Sequence, residues 1–157
     1  MAYQKLQAGA ALAVIKSDDV DIPNPASLMV SSTTTSATAS QLNDTNQNFN
    51  TLGVKPGDII YDSSNTVASK VNFVVSDNEL NVTPAIASGA NYKLYAQSSL
   101  PSNGCVLYIG SGGDVSITTV SGDTVLFKGL VTGQFVPVQT IRVNSTGTAA
   151  ADIVALW

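Results

Sequence analysis

Apolar residues recur at every second position in short runs, and turn-forming residues interrupt them every eight to twelve positions along the chain. Period-two alternation between turn signals predicts strands. The runs are ALAVI (11–15), SLMVSS (27–32), DIIYD (58–62), SKVNFVV (69–75), ELNVT (79–83), YKLYAQ (92–97), CVLYIG (105–110), DVSITTV (114–120), DTVLFKGL (123–130), QFVPVQTIRV (134–143) and DIVALW (152–157). No long amphipathic helix interrupts them, and QLNDTNQNFNTL (41–52) holds a helical turn at most. The expected fold is all-β.

Two Pro-bearing polar stretches, DIPNP (21–25) and SSLPSNG (98–104), divide the strands into groups. Composition of this kind marks module boundaries. The expected organisation is a β-sandwich assembly domain from residues 1–26 and 98–157, with a small barrel-like β module, 27–97, inserted in it. Within the module, Pro56 and Gly57 suit the middle of a tight turn before Asp58, and Ser76, Asp77 and Asn78 join two strands. In the outer unit VSITTVSGDTVLF reads as a hairpin, with Val115, Ile117 and Thr119 on one face, a turn at Ser121–Asp123, and Val125 and Phe127 returning. Pro137 has no amide hydrogen, so its strand is expected at a sheet edge or at a bulge. The terminal run is apolar on both faces: Ile153, Ala155 and Trp157 alternate with Val154 and Leu156. Such a strand must be covered on both sides, so Trp157 is expected inside the sandwich or against a neighbouring subunit.

Composition narrows the chemistry. Of 157 residues, 44% are hydrophobic and only 11% charged, with a net charge of −4. An acidic chain sets up no field that attracts phosphates, so nucleic acid is not an expected partner. GAALAVI has the look of a signal-peptide core, but Lys16 and SDDVD follow it with no cleavage-like stretch, and a strand is the expected reading. No run of 18 apolar residues exists, so no membrane partner is expected. Cys105 is the one cysteine; it cannot form an intramolecular disulfide and belongs in the core.

The chain has no histidine, which removes His-based triads and imidazole metal sites. Asp18, Asp19 and Asp21 are the closest carboxylates able to act as acid and base, but beside Lys16 they read as a solvated loop. YDSSN and SGGD offer oxygens to a hard cation without EF-hand spacing, and turn formation explains them. GSGGD (110–114) lacks the Lys-Ser/Thr of a phosphate loop and reads as a hairpin turn. Three glycosylation sequons, at Asn43, Asn81 and Asn144, are expected by chance in so Asn- and Thr-rich a chain. Tyr61, Tyr92, Tyr95 and Phe73 form either an aromatic sugar-binding strip or cross-strand packing. Arg142, the one arginine, either meets a carboxylate across a subunit contact or faces solvent. No catalytic set, cofactor or metal site is expected, and the chain reads as no enzyme.

The segment CVLYIGSGGDVSITTVSGDTVLFKGLVTGQFVPVQTIRVNSTGTAAADIVALW resembles the C-terminal half of the head-spike base family of gene-transfer agents and related tailed phages. That family has an LYVGTGGD-like turn, then GDTVTF, G-x-x-x-PV, RV, TGT and a terminal DIVALW. The matching residues are Leu107 to Asp114, Gly122 to Phe127, Gly133 to Val138, Arg142 with Val143, Thr146 to Thr148, and Asp152 to Trp157. AVIKSDDVDIPNPA is similar to the family's first strand and loop. The 27–97 module looks like a small β module that recurs in structural proteins of phages, marine cyanophages included. The resemblance implies a non-enzymatic virion component, a head decoration or head-spike base. It would form a symmetric homo-oligomer, trimer or pentamer, docked on the major capsid protein or another virion protein. Pro137, Arg142, Ile153, Leu156 and Trp157 are the expected assembly contacts. The alternative is a tail, fibre or baseplate module whose aromatic residues bind host glycans.

Overall fold

The computed structural model describes residues 8–97 and 104–157. In chain order the strands are β1 (Ala11–Ala13), β2 (Leu28–Thr33), β3 (Ser36–Thr38), β4 (Gln41–Asn43), β5 (Ile59–Asp62), β6 (Val67–Ser76), β7 (Glu79–Thr83), β8 (Asn91–Tyr95), β9 (Cys105–Ser111), β10 (Gly113–Thr119), β11 (Thr124–Leu130), β12 (Phe135–Val143) and β13 (Ala151–Leu156). A short α-helix, α1 (Phe49–Leu52), lies between β4 and β5, and a single 3-10 turn, Pro25–Ser27, precedes β2. The fold is all-β, a sandwich-type architecture with a barrel-like module.

Two compact units result: Met1–Asp18 with Ser102–Trp157, and Asp19–Pro101. The first boundary falls inside KSDDVD, ahead of the DIPNP turn, because Asp18 is bound by side chains of the outer unit. The outer unit's N-terminal part therefore stops at Asp18 instead of residue 26. The SSLPSNG stretch lies, over 98–103, outside the described residues.

The inserted unit is a curled antiparallel sheet in the order β2-β8-β5-β6-β7-β4-β3. Its concave face buries Leu42, Ile60, Val71, Leu80, Val82 and Leu94, together with Phe49 from α1. α1 starts where the Asn48 side chain accepts the Thr51 amide at 2.8 Å. It ends at Gly53, whose φ of 75° is the left-handed conformation a glycine adopts without steric cost. β3 and β4 lie in TTTSATASQLND, where no strand was expected. β3 is exposed at all three residues, so no buried face imposes an apolar alternation, and its Ser and Thr look like a loop.

The outer unit is a six-stranded antiparallel sheet in the order β1-β13-β9-β12-β10-β11. It coils so that the segment leaving β12 bonds back onto β10. Asn144 N–H donates to the Ser116 carbonyl (2.9 Å) and Ala149 N–H to the Asp114 carbonyl (2.8 Å), while the Ser116 amide donates to Thr148 Oγ1 (2.9 Å). Leu107, Ile109, Ile117, Val136, Ile153 and Ala155 are buried within it. GSGGD is not a hairpin turn, since β12 separates β9 from β10. Its glycines answer a packing need. A Cβ on Gly110 would collide with the Asp152 carbonyl oxygen, and one on Gly113 would lie 2.8 Å from the Ala150 nitrogen.

Candidate functional site

The terminal strand β13 lies between β1 and β9, with Val154 opposite Tyr108 and Ala13, and Leu156 opposite Val106 and Ala11. Directly opposed residues project from the same face of a sheet. One face carries Ile153 and Ala155 beside Ile109 and Leu107, all buried. The other carries Ala11, Ala13, Val154, Leu156, Val106, Tyr108 and, across β12, Phe135. This second face is apolar over four strands, as far as Asp152, where Ser111 Oγ donates to the carboxylate at 2.9 Å. Its residues are half-buried or exposed. Phe135 leaves 57% of its surface open and packs against the Tyr108 ring, centroids 5.3 Å apart and tilted by 60°.

The expected contacts are dispersed by this register. Ile153 is 3% exposed and belongs to the protomer's own core, so it is no surface contact. Leu156 stands on the half-open face. Trp157 is half-buried, not inside the sandwich. Its amide donates to the Ala10 carbonyl at 3.0 Å, and its carbonyl accepts from Gly9 and Ala10, so the last residue holds the chain's first described segment. Pro137 is exposed at a register shift between Val136 and Thr140. Its strand is interior, and the missing amide is accommodated by a bulge.

Arg142 does not face solvent alone: its guanidinium donates to the Asp18 carbonyl of the same chain at 2.8 Å. The Asp18 carboxylate in turn accepts the Thr146 amide (2.9 Å) and the Thr146 hydroxyl (2.8 Å). Lys16 donates to the Thr148 and Ala150 carbonyls at 3.3 and 3.1 Å. KSDD is thus a latch that ties the N-terminal segment to the β12–β13 connection, not a free solvated loop. The Thr146 amide first, and then its hydroxyl, hold the Asp18 carboxyl below its ordinary value of 3.8. A depressed folded-state value contributes stability above the unfolded value that disappears as pH falls through the folded one. The latch should therefore loosen below about pH 4. The protection factor of the Thr146 amide, its exchange relative to the intrinsic rate at the same pH, should fall there in the wild type and be lowered already at neutral pH in Asp18→Ala. Equal protection in both proteins at neutral pH would refute the latch.

The inserted unit presents no aromatic strip. Tyr61, Tyr92 and Tyr95 are buried, with Tyr61 edge-on to Tyr95 at 6.0 Å. Phe73 alone of the four is exposed, at 53%. The Tyr92 hydroxyl donates to Asp44 Oδ2 at 2.9 Å, with both residues buried. Asp62 in YDSSN accepts the Ser64 and Asn65 amides at 2.9 and 3.0 Å, which is turn chemistry. Asp114 likewise accepts the Gly129 amide at 2.8 Å. Cys105 is buried, and burial pushes its thiol up to about 12, so little reactive thiolate forms at neutral pH.

Sequence reasoning missed the outer edge of the sheet. Val125 and Leu126 of β11 are 40% and 46% exposed, although DTVLF reads as a half-buried strand. The available signal was two apolar neighbours on opposite faces, which a one-sided strand does not need. No family model, curated protein or solved structure matches the chain.

Proposed function

We propose that the chain is a non-enzymatic structural protein of a tailed-phage particle, a head decoration or head-spike base that forms a homo-oligomer and docks on the capsid. The observation that carries this reading is the apolar face of Val106, Tyr108, Phe135, Val154 and Leu156, which a single copy leaves partly open. Large exposed apolar patches mark interaction surfaces. The ordered matches to the head-spike base family run through these same strands and give the surface its proposed setting. The carboxylates of the inserted unit and the GSGGD stretch are engaged in turns and packing, which suits a structural role better than acid–base chemistry. A glycan-binding module would need ring faces that the buried tyrosines do not present.

The test is assembly. Purified protein should be oligomeric at micromolar concentration and bind saturably to capsids that lack it. Leu156→Lys, a change on the open face, should leave the fold intact and weaken capsid binding or oligomerisation by about tenfold or more. Wild-type protein that stays monomeric and ignores such capsids would sink the proposal.

A further inference from the structure

β11 ends the outer sheet, and among the described residues its one strand partner is β10. In an antiparallel ladder, main-chain groups face the partner at every second residue and turn away in between. The Asp123 carbonyl accepts the Thr119 amide at 2.9 Å, and Val125 and Phe127 lie opposite Ile117 and Val115. Odd-numbered residues therefore turn their N–H and C=O groups toward β10, while Thr124, Leu126 and Lys128 turn theirs outward. Such a row is a template for another strand, and edges that stay single are guarded by prolines, charges or short length. β11 has seven residues, no proline and one charge, Lys128.

We propose that β11 pairs antiparallel with β11 of a second copy of this chain, about a two-fold axis at Leu126, joining two outer sheets into one. The occupant follows from the register, because only some strands match this edge and β11 matches itself. With the axis at Leu126, the outward groups of Leu126 bond reciprocally to those of the second copy's Leu126, and Thr124 to Lys128. Val125 then faces Phe127 twice, once on each side of the axis, and pairs of β-branched and aromatic residues favour cross-strand contact. Asp123 falls opposite Gly129 and Lys128 opposite Thr124, so no like charges meet, although each copy carries a net charge of −4. Moving the axis by one residue opposes Phe127 to Asp123, or Val125 to the bare Gly129. Charge and side-chain pairing thus select one register. This two-fold contact goes beyond the virion reading and stands on its own observation; either can fail without the other.

Leu126 meets its own copy in this arrangement, so the decisive variants are Leu126→Lys, Leu126→Glu and their equimolar mixture. They are followed by sedimentation velocity and native mass spectrometry at micromolar concentration. Wild type is expected at twice the chain mass or a multiple of it, and each variant alone at half the wild-type mass. The like charges at the axis should weaken dissociation constants by about 100-fold or more. The mixture should recover the wild-type mass with the two chains in equal number, which also shows that both variants fold. A monomeric wild type, single variants that assemble like wild type, or a mixture that fails to recover would each overturn the contact.

Discussion

Removing residues 152–157 should leave no soluble folded protein. β13 is an interior strand, bonded on one side to β1 and on the other to β9. Its loss leaves β1 without its strand partner and uncovers Leu107 and Ile109, both at 0% exposure. Ile153 alone, truncated to Ala, should cost about 2–4 kcal/mol. A domain of this size is held by about 5–15 kcal/mol in total, so one core side chain takes a large part and the whole strand exceeds the margin. Val154→Ser, on the half-open face, should cost about 1 kcal/mol or less. The comparison is made by soluble yield and thermal melting of the truncated chain beside the two point variants. A truncated chain that melts cooperatively near the wild-type temperature would show that β13 is an accessory, and the account of the core would fall with it.

Strands lying in apolar runs of five or more residues were legible; β3 and β4, three residues each in a Ser- and Thr-rich stretch, were not, although β4 buries Leu42 and Asn43. β5 through β13 follow the apolar runs to within a few residues; all but β11, which is open from Thr124 to Leu126, bury two or more side chains in a core that excludes water. β3 buries nothing, so Ser36, Ala37 and Thr38 carry no pattern to read. The bulge at Pro137 was legible from its missing amide. Its interior position was not, because strand order depends on pairings between distant segments. The same distance hid the latch: Asp18 and Thr146 are separated by 128 positions, and nothing local distinguishes a carboxylate that caps a remote amide from one that faces water. DIVALW announced a strand needing cover on both faces. The register then divided it, giving Ile153 and Ala155 to the protomer and leaving Val154 and Leu156 half-open. Burial also resolved the tyrosines, which are compatible in sequence with a sugar-binding strip or a core.

Tyr92→Ala should lower stability by about 3–5 kcal/mol, the range for deleting a buried aromatic ring, and Tyr92→Phe by about 1–3 kcal/mol. The smaller change keeps the ring and removes only the hydroxyl that donates to Asp44 Oδ2 at 2.9 Å. A buried acceptor left without its donor costs about that much. Both variants also remove the Tyr92 hydroxyl, so both differ from the wild type in their response to alkali. Burial first, and the Asp44 carboxylate second, raise the Tyr92 hydroxyl well above its ordinary value of 10.0. A folded-state value raised above the unfolded one contributes stability that is complete below the unfolded value and declines as pH rises through the folded one. Wild-type stability should therefore fall with increasing pH above about 10, by about 1.4 kcal/mol per pH unit for this site. Burial also raises Tyr95 and Cys105, so part of the alkaline slope survives in any single variant. Tyr92→Phe should lose only its own share, which denaturant unfolding at several values between about pH 8 and pH 11 can measure. If its alkaline slope matched that of the wild type, Tyr92 would titrate as freely in the folded chain as in the unfolded one, and the buried pair with Asp44 would be wrong.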